Sequence, residues 1–185
     1  MTDQEILALA QAEGFSAALL PTQEIVTDGK FRRFCEENLC GHYGANYACP
    51  PDCGTVEETR RQLTAQPRAL VLQRTWPICS FQNQEAVAHA RVRHNAAVLR
   101  LARQLREHGL SGFCLGYNGC PLCDPCKQVI GQPCPHPDAR ISCMSAYCID
   151  VAQLAQRCKL PFAWESDKLY LYGMFAFSGG QDGAL

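Results

Sequence analysis

Thirteen cysteines in 185 residues constrain this chain more than any other feature. Eight of them fall in two groups of four. The first is Cys35, Cys40, Cys49 and Cys53, spaced C-x4-C-x8-C-x3-C; the second is Cys120, Cys123, Cys126 and Cys134, spaced C-x2-C-x2-C-x7-C. Four thiolates fill the coordination of a zinc ion or hold one iron–sulfur cluster, so the two groups predict two metal centres. The second group is the more diagnostic. Three thiolates two residues apart on a tight loop reach three corners of one small cube, and Cys134 is placed to hold the fourth. Zinc sites usually pair two Cys-x-x-Cys knuckles, so a run of three points to a [4Fe–4S] cluster. The first group suits a second such cluster or zinc almost equally, and zinc is the alternative there. Ligands can also be exchanged between neighbouring clusters, and Cys49 and Cys134, each followed by proline, are the candidates for exchange.

Other properties of the chain narrow the reading. Apolar residues make up 47%, enough for a hydrophobic core. The net charge of -1, from 17 basic and 18 acidic residues, gives no electrostatic case for nucleic acid. No apolar run is long enough to span a bilayer, and the acidic, amphipathic N-terminus lacks a signal-peptide layout. A cytoplasmic location is therefore expected. Its reducing conditions argue against a disulfide framework and leave metal binding as the default use of the cysteines.

Residues 3–13 predict a short amphipathic helix that Gly14 stops. Residues 16–26 read as extended, with Pro21 demoting that strand to an edge. Thr55 and Glu58 form a capping-box pair for a helix over 56–66. A strand over 69–76 precedes the longest helix, 83–108, whose apolar positions recur at three- and four-residue steps up to Gly109. A strand over 112–117, a helix over about 144–158 and a final strand over 169–177 follow, and the tail SGGQDGAL is expected to be mobile. Alternating strands and helices predict α/β architecture. The expectation is a central mixed sheet of about four strands flanked by helices. It forms one metal-binding domain over 1–185, with cysteine-rich loops at about 29–55 and 118–140.

The first loop reads CEENLCGHYGANYACPPDCG and the second GCPLCDPCKQVIGQPCPHPDARISCMSAYCIDV. Together they resemble an uncharacterised prokaryotic family of predicted metal-binding proteins, domain of unknown function 2284. The resemblance rests on Cys40-Gly41 with Tyr43-Gly44, the Ala48-Cys49-Pro50-Pro51 run and the cysteine triple. Cys134 with His136-Pro137, and Ile149-Asp150-Val151, complete it. It runs on to the final apolar strand. It implies metal binding and no particular reaction. The family usually carries Ser-Met-Glu-Ala-x-Gly before Ile-Asp-Val, where this chain has Cys143-Met144-Ser145-Ala146-Tyr147-Cys148. A role for that glutamate in relatives does not transfer to Ser145.

Among the remaining cysteines, Cys79, Cys114 and Cys158 read as small core residues. Cys143 and Cys148 fall at the predicted start of a helix, where a thiol pKa is lowered, so a redox role competes with packing for them. His42 and His136 read as hydrogen-bond partners of the loops, and His94 as a core or boundary histidine. Arg91, Arg93, Arg100, Arg103 and Arg106 spread over the polar side of the long helix; a solvated face is expected, and a docking patch for an acidic partner is the alternative. The function expected is an iron–sulfur protein that moves single electrons and meets a redox partner protein. One alternative is an enzyme using a cluster, or Cys143 and Cys148, on a small substrate. Another is a zinc-stabilised interaction module. No nucleotide loop, Rossmann glycine pattern or nucleophile elbow is present.

Overall fold

The computed structural model describes residues 1–180. The tail expected to be mobile lies outside the described residues from 181 onward. A five-stranded mixed sheet, ordered β1-β2-β5-β3-β4, organises the chain. Its strands are β1 (Ser16–Pro21), β2 (Arg68–Pro77), β3 (Ser111–Gly116), β4 (Ile141–Cys143) and β5 (Lys168–Ser178). Neighbours are antiparallel except β3 and β4, which run parallel. β1 ends on Pro21 and is an edge strand, as the missing proline donor requires. The fifth strand, β4, was not expected from the sequence. Three residues are too few for alternation to show, and the strand exists because Cys114, Leu115 and Gly116 pair with Ile141, Ser142 and Cys143.

The helices are α1 (Asp3–Ala12), α2 (Arg33–Glu36), α3 (Val56–Thr64), α4 (Gln84–Glu107) and α5 (Val151–Cys158). Local chemistry sets their ends. Thr2 with Glu5 and Thr55 with Glu58 form reciprocal capping boxes, and Asn83 and Asp150 cap α4 and α5. Gly14 and Gly109 take positive φ just beyond α1 and α4, a conformation that glycine adopts without a Cβ penalty.

Period-two alternation splits the sheet into two faces. Leu70, Leu72, Cys114, Phe175 and Phe177 pack with Ile6 of α1 and Val98, Leu101 and Leu105 of α4. Ala69, Val71, Leu115, Tyr172 and Met174 pack with Cys35 of α2, Leu63 of α3 and Leu154 of α5. The helix expected over 144–158 is shorter than its sequence suggests. A 3-10 turn over Ser145–Tyr147 and Cys148 at φ 56° interrupt it, and α5 begins only at Val151. Cys143 and Cys148 are therefore not at a helix start; Cys143 ends β4.

His94 on α4 is fully buried, its ring edge-on to Phe15 and neither ring nitrogen in a hydrogen bond of normal geometry. Burial pushes its pKa down from 6.5 to about 4. The folded protein thus binds this proton more weakly than the unfolded chain. The associated stability is intact above pH 6.5 and is lost as pH falls toward 4, a loss of about 3 kcal/mol from this group. Denaturant titrations of wild type and His94→Leu from pH 7 to pH 4 should show the wild-type advantage shrinking by about that amount; parallel curves would contradict the assignment.

Candidate metal centres

The two cysteine loops lie against each other. Asn46 Nδ2 donates to the Cys120 carbonyl at 3.0 Å, and the Tyr47 hydroxyl donates to the Gln132 carbonyl at 2.8 Å. Arg140 Nη1 donates to the Tyr47 carbonyl at 3.4 Å, and the Ser142 hydroxyl donates to the Ala48 carbonyl. Gly119 sits at the seam. A Cβ there would stand 2.8 Å from His42 Cγ and 3.0 Å from Asn46 Nδ2, so only glycine admits so close an approach. Because Ser142 belongs to β4, the first loop covers the outer edge of the sheet, and the second loop is the connection from β3 to β4.

Within the first group, Cys35 lies on α2 and is 8% exposed. Cys49 and Cys53 close one turn, with the Cys53 N–H donating to the Cys49 carbonyl at 2.9 Å, and the charge of Cys53 reaches Cys49. Arg32 stands beside them, 7% exposed. Its Nη1 donates to Cys53 Sγ at 3.7 Å and to the Gly54 carbonyl at 3.1 Å, and its Nη2 donates to Thr59 Oγ1 at 3.3 Å. The same guanidinium faces Cys35 and Cys148. Cys40 is exposed, on the Asn38–Gly41 turn.

A thiol from outside the expected group joins this set. Cys143 Sγ lies 3.7 Å from Cys35 Sγ and accepts the Ala146 N–H at 3.3 Å. The hydrogen bond from Cys35 holds the Cys143 thiol below its ordinary range, and the same contact pushes Cys35 up. Burial pushes Cys49 and Cys53 up, and the charge of Cys143 adds to both. Sequence spacing gave no sign of this, because the residue lies 108 positions from Cys35.

The second group is half-exposed throughout. Burial raises the Cys120 thiol, while the N–H groups of Ile141 and Leu122 favour its charged form; Cys134 and Cys126 lie near enough to raise it further. The charge of Cys120 also reaches Cys49, so the two groups are electrostatic neighbours. They address opposite faces of the sheet. Cys120 packs against the core under α1 and α4, and Cys53 and Cys143 pack against the core under α3 and α5. Among the described residues no group of three or more Cys, His, Asp or Glu side chains is arranged so that it could hold a metal ion as it stands.

The remaining expectations divide. Cys114 is a core residue, with burial raising its thiol to about 11. Cys158 is half-buried, and Cys79, expected in the core, is exposed because it follows the end of β2. His42 packs over Gly119. The α4 arginines are largely engaged within the protein. Arg91 and Arg93 stack over Tyr117 and Trp76, Arg100 pairs with Glu13, and Arg106 donates to the Gly112 carbonyl. A cavity of about 600 Å³ opens beside Cys53, lined also by Gln62, Arg106, Phe113, Arg140 and Tyr147.

These residues suit a metal–thiolate centre on one further ground. Arg32 Nε is buried without a hydrogen-bond partner, and no carboxylate among the described residues forms a salt bridge with this guanidinium. Four thiolates around a metal carry net negative charge, the complement this cation lacks. Fold and thiols together define a cysteine-rich, metal-binding α/β protein. Residues 18–176 match the family of predicted metal-binding proteins, domain of unknown function 2284, and the chain belongs to that family. No curated protein and no solved structure matches it. No helix among the described residues is long and apolar enough to cross a membrane.

Asn46 is the test of the seam. It is 2% exposed, donates to Cys120 and accepts the Ala48 N–H at 3.0 Å. Asn46→Ala leaves both backbone partners unmatched, a cost of about 2 kcal/mol or more. In a chelator competition the variant should release metal at least tenfold faster than wild type. Equal release rates would show that the seam does not hold the centres.

Proposed function

We propose that this metal-binding protein is a redox iron–sulfur protein. Its second loop holds a [4Fe–4S] cluster on Cys120, Cys123, Cys126 and Cys134. Its first loop contributes a neighbouring metal centre, a second cluster being the leading reading. The observation that supports this most is the seam, in which Asn46 ties the two loops and the charge of Cys120 reaches Cys49. Two adjacent centres suit stepwise passage of single electrons. A bound [4Fe–4S] cluster supplies one-electron exchange, at a potential governed by hydrogen bonds to sulfur, net charge and exposure.

This chain provides residues for each of those controls. The N–H groups of Ile141 and Leu122 face Cys120 sulfur, and Arg32 sets a positive charge among the first-loop thiols. The half-exposed second group, with Val129 and Ile130 exposed beside it, gives a redox partner protein a place to approach. A reducing, cytoplasmic setting completes the reading.

One observation favours a second reading for the first centre. Two sulfurs bound to one zinc at about 2.3 Å stand about 3.8 Å apart at tetrahedral angles. The 3.7 Å between Cys35 and Cys143 has that spacing.

Iron, sulfide and zinc counted per chain in anaerobically purified protein decide between these. Two clusters give a brown protein, silent in electron paramagnetic resonance when oxidised, that gains a signal on dithionite reduction. Cys123→Ser should then lose about half the iron, since both centres contribute equally. One cluster with one zinc assigns zinc to the first loop. Zinc at both centres after anaerobic expression with ample iron, with no redox response, would end the redox reading.

A further inference from the structure

The spacing C-x4-C-x8-C-x3-C groups Cys40 with Cys35, Cys49 and Cys53, but the fold leaves it on the exposed rim of that group, with its charge still reaching Cys49. Cys40 sits on a turn whose next neighbour, Leu39, is 90% exposed, and its thiol is open to solvent. The sheet meanwhile delivers another thiol to the buried side of the group. Pairing of Cys143 with Gly116 in β3 fixes its backbone, and its Sγ lands 3.7 Å from Cys35 Sγ. The Ala146 N–H already points at that sulfur from 3.3 Å, at the first turn of the 3-10 segment that follows. A backbone donor of this kind favours a thiolate and orients it, as partners behind metal ligands do.

We propose that Cys35, Cys49, Cys53 and Cys143 hold the first metal centre, that Cys40 stands outside it, and that Arg32 is its buried counter-charge. The ligand set then comes from α2, from one turn of the first loop and from the end of β4. The geometry suits this. Cys49 and Cys53 close one turn, Cys35 touches Cys143, the charge of Cys143 reaches Cys49 and Cys53, and Arg32 bonds to Cys53 while facing Cys35. Cys148, 1% exposed, faces the same guanidinium and lies outside the proposed set. The inference rests on metal binding by the first loop, and the 3.7 Å contact has the spacing of two thiolates on one metal ion.

Total metal per chain in Cys35→Ser, Cys40→Ser, Cys143→Ser and Cys123→Ser tests it, iron and zinc being counted separately. The expected result is loss of the first-centre complement in Cys35→Ser and Cys143→Ser, with Cys40→Ser at the wild-type value and Cys123→Ser losing the second centre instead. Full metal in Cys143→Ser, or loss in Cys40→Ser alone, overturns the assignment. Mapping of thiols on the loaded wild-type protein removes dependence on variants that fold poorly. With N-ethylmaleimide and mass spectrometry, Cys40 should be labelled as readily as the exposed Cys79, and Cys143 only after a chelator has removed the metal. Protection of Cys40 with labelling of Cys143 in the loaded protein would reverse the two roles. If wild type carries zinc throughout, the redox reading fails while this labelling pattern still decides the ligand set.

Discussion

Arg32 is the residue around which the cysteine-rich end of the protein is built. A guanidinium cannot be deprotonated, and burying it to 7% exposure costs several kcal/mol unless it is matched. Its hydrogen bonds to Gly54, Thr59 and Cys53 tie the first loop to α3, and its position between α2 and the 3-10 turn before α5 gathers thiols from three parts of the chain. Neutral thiols match such a charge poorly. A metal–thiolate centre matches it well; burial pushes Cys49 and Cys53 above their ordinary range, the contact with Cys143 does so for Cys35, and the Arg32 charge opposes the rise at Cys35 and Cys53.

The three residues of β4 connect this chemistry to the fold. Ile141 is fully buried in the α1–α4 core, Ser142 holds the first loop through Ala48, and Cys143 turns toward Cys35. One short segment thus serves core and centre at once, with Ile141 buried on one side of the sheet and Cys143, at the strand's end, packed against the other. The same strand edge separates the two cysteine groups, since Cys120 leans on one core and Cys143 on the other. The two cysteine groups are thus neighbours while each is anchored to a different face of the sheet.

The second loop has a different physical character. Between 118 and 140 only Gly119 is buried, so the loop has almost no apolar packing of its own. Its shape rests on the seam with the first loop and on the backbone bonds that turn it after Cys126. For such a segment metal coordination is folding free energy, as in small metal-dependent domains. The first loop is less dependent, because Arg32, Cys35, Asn46, Ala48 and Cys49 are already buried against the protein.

Much of this was legible in the chain itself. Capping pairs Thr2–Glu5 and Thr55–Glu58, the apolar face of α4, the glycine stops and the edge placement of β1 follow from local preferences that neighbours in sequence decide. The cysteine spacings and family features marked a metal-binding protein, because four closely spaced thiols match the ligand number of a metal centre. What needed the tertiary structure was every relation across long separations. β4 is created by its parallel partner, Cys79 is exposed by where β2 ends, and Cys148 is set in a left-handed turn rather than a helix. Cys143 meets Cys35 across 108 positions only because sheet register carries it there, and a sequence pattern confined to one loop contains no information about a register set by another.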